Sequence, residues 1–236
     1  MEAKRCIIGK NVTAGFDEKT CAIEIYSDNG VLSASWVKDL NIPKSRIISI
    51  RVAEGTVHLP KNAERCFANL RNLQTLDMTG FNTSDTTNMK QLFHSCINLK
   101  ALDVKNLNTT NVKNMSSMFE DCRAIQVLDL SSFDTSNVTD MSGMFMGCLE
   151  LKELDLSSFS TQAVKDMSWM FSSCHSLQGL DISGFDIENV RGMYYMFYKC
   201  KRLERIIMNS QATKESTNTR GMFVDCRAEV IQKNKK

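Results

Sequence analysis

A unit of 26 residues recurs along most of this chain without a slip in register. LQTLDMTGF, LKALDVKNL, IQVLDLSSF, LKELDLSSF and LQGLDISGF begin at Leu73, Leu99, Ile125, Leu151 and Leu177. A worn copy, LERIIMNSQ, begins at Leu203, and a degenerate one, IISIRV, at Ile47. Phe67 stands where later copies carry Phe93, Phe119, Phe145, Phe171, Phe197 and Phe223. A fixed period of this size predicts stacked coils, because one unit cannot bury both its apolar faces and a stack can. Worn end units suit a stack, since a regular end coil would expose its core face. The count is about seven coils.

Each unit has two halves. The first, L-x-x-L-D-[LIVM], places apolar residues at positions 1, 4 and 6 and then meets Ser, Thr or Gly, as at Ser131-Ser132, Ser157-Ser158 and Ser183-Gly184. That pattern predicts a short strand ending in a turn. The second, [ND]-M-x-x-M-F-x-x-C, is seen in Asp140 to Cys148. Its apolar positions i, i+3, i+4 and i+7 predict a short amphipathic helix. Asn88, Asn114, Asp140 and Asp166 precede that stripe, where a side-chain oxygen accepts first-turn N–H groups. The expected architecture is α/β: a solenoid of strand–turn–short-helix coils with a parallel sheet on one wall and helices on the other.

The period lies within that of leucine-rich repeats, whose strand motif L-x-x-L-x-L matches the first half. The second half departs from the usual asparagine-containing version. Units such as LDLSSFDTSNVTDMSGMFMGC, within residues 125–148, resemble the BspA-type leucine-rich-repeat family of bacterial surface proteins, in its 26-residue subtype. The resemblance covers about residues 47–228. It implies a leucine-rich-repeat solenoid, displayed at the cell surface and associated with adhesion or protein binding, with no catalytic residues.

Residues 1–46 read differently. Ile23-Glu24-Ile25-Tyr26 and Val31 to Trp36 flank Asp28-Asn29-Gly30, a hairpin signal because Asn-Gly tolerates positive φ. This predicts a β-hairpin cap that covers the first coil with Trp36 and Phe16. The solenoid then runs over 47–228, with degenerate end repeats at 47–72 and 203–228, followed by a frayed tail over 229–236 ending in KNKK. The start, MEAKRCIIGKNVTAG, offers only Cys6-Ile7-Ile8 as an apolar run, too short for a signal-peptide core. The expectation is a chain that stays inside the cell, or one whose export signal lies outside these 236 residues. No stretch approaches the length of a membrane span. A net charge of +2, from 29 Lys and Arg against 27 Asp and Glu, removes the general attraction of a nucleic-acid binder.

The repeat stacks particular residue types into columns. Cys96, Cys122, Cys148, Cys174, Cys200 and Cys226 share one position on the buried stripe, with Leu70 in their place in the first coil. Without Cys-x-x-Cys pairs or histidines at ligand spacing, they read as an unbridged core ladder rather than a metal site. Met115, Met141, Met167 and Met193, and Met118, Met144, Met170, Met196 and Met222, fill the same stripe. Asp77, Asp103, Asp129, Asp155 and Asp181 sit between inward residues and point out from the strand wall. Like charges one rung apart repel. Hydrogen bonds to Ser/Thr hydroxyls and N–H groups of the following turn would offset this; an acidic stripe for a basic partner and a row of cations are the functional alternatives. Lys100, Lys152, Glu153, Val127 and Arg205 share the exposed wall. Tyr194, Tyr195 and Tyr198, with Lys199, Lys201, Arg202 and Arg205, form a second patch of the aromatic and Arg type found at protein interfaces.

His58, His94 and His175 are scattered, and no phosphate loop, G-x-S-x-G elbow or H-E-x-x-H is present. Neither an enzyme nor a cofactor is expected. The function expected is a non-enzymatic, adhesion-like module that is monomeric and presents a rigid wall to a protein partner. A structural spacer within a larger surface array is the alternative, favoured by the near-identity of repeats 125–176.

Overall fold

The computed structural model describes residues 5–210 and 216–233. They form one stack of coils around a continuous apolar interior, and the repeat register seen in the sequence is kept throughout. The inward positions of the first half are all buried: Leu73, Leu99, Ile125, Leu151 and Leu177 in one column, Leu76, Leu102, Leu128, Leu154 and Leu180 in the next. Down the centre, the rings of Phe93, Phe119, Phe145, Phe171 and Phe197 stack face to face, with centroids 5.6–5.8 Å apart and planes within 20°.

The strand wall is regular at its two ends. There β3 (Ser49–Glu54), β5 (Thr75–Leu76) and β7 (Ala101–Leu102) pair in parallel, as do β8 (Gly179–Ile182), β9 (Arg205–Asn209) and β10 (Glu229–Lys233). Short pieces β4 (Val57–His58) and β6 (Phe81–Asn82) pair beside them. Between Leu102 and Gly179 the rungs keep register through longer bonds, such as Lys152 N–H to Gln126 O at 3.2 Å.

The second half of each coil is not helical, and this corrects the helix expectation. Between Met141 and Cys148, alternate N–H groups take two routes. Met144, Met146 and Cys148 donate to the carbonyls three residues back, at 3.0–3.2 Å. Met141, Gly143, Phe145 and Gly147 donate to Asp166, Ser168, Met170 and Ser172 of the next coil, at 2.8–3.0 Å. The half is therefore a run of reverse turns whose remaining donors tie coil to coil. An α-helix would direct every interior N–H along its own axis and leave no such ladder. The i, i+3, i+4, i+7 spacing serves both arrangements, because three-residue turns also return side chains to one face.

What selects the turn run is backbone handedness. Two columns are left-handed in every coil: Arg65, Gln91, Ser117, Gly143, Trp169, Tyr195 and Gly221, and Asn69, Ser95, Asp121, Gly147, Ser173, Lys199 and Asp225, with φ from +55° to +73°. Each takes the third place of a turn, where type II geometry requires positive φ. Asn88, Asn114, Asp140 and Asp166 do not cap helices. Their Oδ1 atoms accept the N–H two residues on, at 2.8–3.0 Å, and open the turn run.

The N-terminal cap differs in detail. β1 (Cys6–Asp17) and β2 (Ala22–Leu32) are antiparallel, joined at Asp17 to Cys21 rather than at Asp28-Asn29-Gly30, which lies inside β2. Asp17 Oδ1 accepts the Lys19 N–H at 2.8 Å and the Asp17 carbonyl accepts the Cys21 N–H at 2.8 Å, which closes the turn. β2 then pairs in parallel with β3 and β4, so it is itself a rung, and the stack has about eight coils. Trp36, in the short helix α1 (Trp36–Asp39), is fully buried, meets Phe67 edge-on at 5.9 Å and donates its indole N–H to Cys66 O at 2.8 Å. Phe16 is half-buried against the core, with the Arg46 guanidinium over its ring. At the other end, residues 229–233, expected to fray, form β10 against β9, because they continue the strand column by one more rung. Positions 234–236 of the expected tail lie outside the described residues, as do 211–215 of the last worn repeat.

Two ladders add polar order to the core. The thiols of Cys96, Cys122, Cys148, Cys174 and Cys200 each donate to the carbonyl of a Phe in the preceding coil, at 3.0–3.2 Å. All nine cysteines are free. Burial pushes Cys96, Cys148 and Cys200 up to about 12, and Cys122 and Cys174 well above the usual thiol range. Buried Thr83, Thr109, Thr135 and Thr161 donate their hydroxyls to carbonyls of the next coil at 2.8–2.9 Å.

Candidate functional site

Every aspartate of the wall column is exposed, and each Oδ1 accepts the N–H two residues on: Thr79, Lys105, Ser131, Ser157 and Ser183, at 2.9–3.0 Å. Thr79 and Ser131 add their hydroxyls at 2.7 Å. Lys105 Nζ reaches Asp129 at 3.0 Å, and Lys233 Nζ reaches Asp181 at 2.9 Å. The hydroxyl and N–H of Ser131, then Lys105, hold the Asp129 carboxyl down at about 2. The N–H of Thr79 and of Ser157 likewise lower Asp77 and Asp155. Each carboxylate uses one oxygen to close its own turn, and at Asp129 and Asp181 the second oxygen meets a lysine. Lys100, Lys152, Glu153 and Arg205 are exposed on the same wall, and Val127 is 68% exposed.

The second patch lies on the turn wall. Tyr194, Tyr195 and Tyr198 come together, all half-buried, around a residue that patch-by-patch reading of the sequence passed over: Trp169. Trp169 stacks on Tyr195 with centroids 4.5 Å apart and planes 20° from parallel. Tyr194 and Tyr198 meet the indole edge-on at 6.0 and 5.9 Å. Lys199 Nζ lies 4.8 Å over the Tyr198 ring. Lys201 and Arg202 follow Cys200 on the bend toward β9 and are exposed. The signal that finds Trp169 is the period itself, because Trp169 precedes Tyr195 by one repeat in the left-handed column.

That column also explains the groove beside the cluster. It reads Ser117, Gly143, Trp169, Tyr195, Gly221. Tyr195 leans over Gly221, where any Cβ would run into its ring. Trp169 leans on Tyr195 in turn, and the slot before it holds only Gly143. A groove of about 310 Å³ opens there, lined by Ser117, Glu120, Ser142, Gly143, Met146, Asp166, Trp169 and Tyr194. Its two charged residues are both acidic. Glu120 Oε2 lies 3.5 Å from the buried His94 Nδ1, and Asp166 Oδ1 accepts the Ser168 N–H at 2.8 Å. Gly192 stands where neighbouring coils carry Asn or Asp, and Asp166 Oδ1 and Ser168 Oγ fill the space its Cβ would take, 2.6 and 2.7 Å from that point.

The histidines stay apart. His58 pairs with Asn29 at 2.8 Å, His94 with Ser95 at 3.1 Å, and burial lowers His175 below its usual value. Among the described residues, no group of three His, Cys, Asp or Glu is arranged to hold a metal ion, and no helix is long and apolar enough to cross a membrane.

Among solved structures, the chain is similar to the T. pallidum leucine rich repeat protein TpLRR, at 13% identity and a TM-score of 0.36, over 94% of this chain and 82% of that one. No curated protein matches it. The model of the family described as Mycoplasma protein of unknown function, DUF285, matches residues 61–157 and again 122–235. Those two overlapping matches take in every regular coil, the aspartate column of the strand wall and the aromatic cluster of the turn wall, and on them the chain belongs to the DUF285 family.

Proposed function

We propose that the chain is a non-enzymatic, adhesion-like protein-binding module of the BspA type, whose rigid coil stack presents a protein partner with fixed side chains. The observation that carries this reading is the aromatic cluster. Trp169, Tyr194, Tyr195 and Tyr198 occupy positions where the other regular coils carry no Phe, Tyr or Trp but residues such as Gln91, Ser117, Gly143, Ser142 and Met146, and they lie half-exposed on a wall whose backbone is tied coil to coil. Large, rigid, amphipathic rings of this kind dominate protein interfaces. The wall of Asp77, Asp103, Asp129, Asp155 and Asp181, with Lys100, Lys152, Glu153 and Arg205 around it, is the secondary contact, and Arg202 borders the aromatic cluster. Its aspartates already serve their own turns, which lowers what they can offer a partner.

The second reading, a spacer without a ligand, is favoured by the close identity of coils 125–176, since a tuned site breaks repetition. One experiment separates the two. Intact protein is immobilised and exposed to cell and host extracts beside a Tyr194→Ala/Tyr198→Ala variant and an Asp129→Asn/Asp155→Asn variant, each checked by thermal melting. A partner retained by wild type and lost by the tyrosine variant at unchanged melting supports the module. A partner retained equally by all three overturns the aromatic cluster and the aspartate wall as its contact, and no partner at all supports the spacer.

A further inference from the structure

We infer that the groove over Gly143 is an anchoring slot for an arginine side chain of a partner protein; this rests on the binding-module reading above and names the chemistry of its contact. Three observations converge on that occupant. The first is a missing member of a stack. Tyr195 covers one face of the Trp169 indole at 4.5 Å, and the groove of which Trp169 is a wall lies on the other side, where Gly143 contributes no side chain. A flat group entering over Gly143 continues the Tyr195–Trp169 series. The face of an indole is the best of the aromatic platforms for a cation.

The second is charge. Glu120 and Asp166 line the slot, and no cation lines it. A guanidinium between them meets two carboxylates at its edges while its plane rests on the ring, and planar, forked Arg satisfies both demands where the point charge of Lys satisfies one.

The third is a precedent within the same column. Arg65 occupies the equivalent left-handed position of an earlier coil, and its guanidinium lies against the column residue of the next coil, donating to Gln91 Oε1 at 2.9 Å. An arginine therefore fits between rungs on this wall when the chain supplies it. At Gly143 the chain supplies no side chain, and the indole face and the acidic lining stand open there to one from outside, although Glu120 Oε2 also faces His94 Nδ1 at 3.5 Å and Asp166 Oδ1 holds the Ser168 N–H at 2.8 Å.

The test uses the intact protein and tryptophan emission. Trp36 is fully buried in the cap and gives a constant background, whereas Trp169 faces the groove. The probe is a capped Gly-Arg-Gly peptide beside its Gly-citrulline-Gly twin, which keeps the shape and loses the charge. The expected result is a saturable emission change with the arginine peptide, with Kd on the order of millimolar for so small a ligand, and at least about tenfold weaker response to the citrulline twin. Gly143→Gln fills the slot with the side chain that Gln91 already carries at the same φ, and its Cβ meets only Ser117 Oγ at 3.1 Å and Met146 Cβ at 4.0 Å. The left-handed φ of +61° at this position should lower its melting temperature by about 1–4 °C without unfolding it, and the response should fall by about tenfold or more. Should it fail to fold, the isosteric Glu120→Gln/Asp166→Asn pair carries the same expectation. No response in wild type, equal response to both peptides, or an unaltered response in the variant overturns the assignment. A protein partner captured equally by wild type and Gly143→Gln removes the slot and leaves the binding module standing. Arginine-peptide binding with no protein partner removes the module and leaves the slot.

Discussion

Replacing Ser173 by glycine should stabilise this protein, against the general rule that glycine weakens ordered structure. Ser173 has φ +60° and sits third in its turn. A non-glycine residue held left-handed costs about 1–2 kcal/mol. Glycine removes that cost but widens the unfolded ensemble, a loss of about 0.4–1 kcal/mol. The difference is a net gain of about 0.5–1 kcal/mol, or a rise of about 1–4 °C for a chain of this size. The Ser173 N–H donates to Tyr198 O at 2.7 Å, and glycine keeps that bond. Gly147 stands at the equivalent position of the preceding coil with φ +73°, so the coil already accepts glycine there. Two companions fix the sign. Ser172→Gly, one residue earlier and outside the left-handed columns, should lower stability by about 0.5–1 kcal/mol. Gly147→Ala should lower it by about 1–2 kcal/mol, because its methyl would lie 2.8 Å from Asp121 Oδ1 as well as forcing a Cβ into the left-handed region. Differential scanning calorimetry on the four proteins reads all three shifts. If Ser172→Gly and Ser173→Gly move the melting temperature in the same direction, the left-handed columns do not govern the coil.

Three further outcomes are expected. Thr135→Val keeps the volume but strands the Ser160 carbonyl and N–H, which meet the Thr135 hydroxyl at 2.8 Å each; urea denaturation should show a loss of about 1–3 kcal/mol. Titration of the native protein with a thiol reagent at pH 8 should label no more than Cys6, Cys21 and Cys226 rapidly, because the other six are buried and burial keeps them from forming thiolate; full labelling should need denaturant. The Asp129 carboxyl is lowered in the folded state, so its stabilising effect is complete above its unfolded value of about 4 and is lost as pH falls toward its folded value of about 2. Asp129→Asn should therefore lower the melting temperature at pH 6 and leave it nearly unchanged at pH 2.

The period and every inward column were legible in the sequence, because burial repeats with the period and apolar residues announce it; the count of about seven fell one short, because β2 adds a rung that does not carry the repeat. The path of the backbone between those columns was less so. Met141, Met144, Phe145 and Cys148 carry the same spacing whether the chain turns as a helix or as successive reverse turns. The deciding positions are the left-handed ones, and there the residues are as unlike as Gln91, Ser117, Trp169 and Lys199, with glycine only at Gly143, Gly147 and Gly221. The neighbouring coil's carbonyls impose that geometry, and no local propensity shows it. The Asn-Gly pair misplaced the hairpin for a related reason: β2 must run on past it to serve β3 and β4 as a rung. The three tyrosines were visible as a cluster along the chain, whereas Trp169 and the empty place at Gly143 join them only when the repeats are laid one over another.

Because the turn-wall bonds of a coil reach only its immediate neighbours, whole units are interchangeable parts. Excising residues 125–150 would set Leu151 where Ile125 had been and bring Phe171 into the seat of Phe145, so that the shortened protein closes over the gap with its polarity intact. Genetic duplication or loss of a single module can thus lengthen or shorten the molecule while sliding the aromatic patch nearer to, or farther from, the amino-terminal lid. The lineage can adjust reach without redesigning recognition.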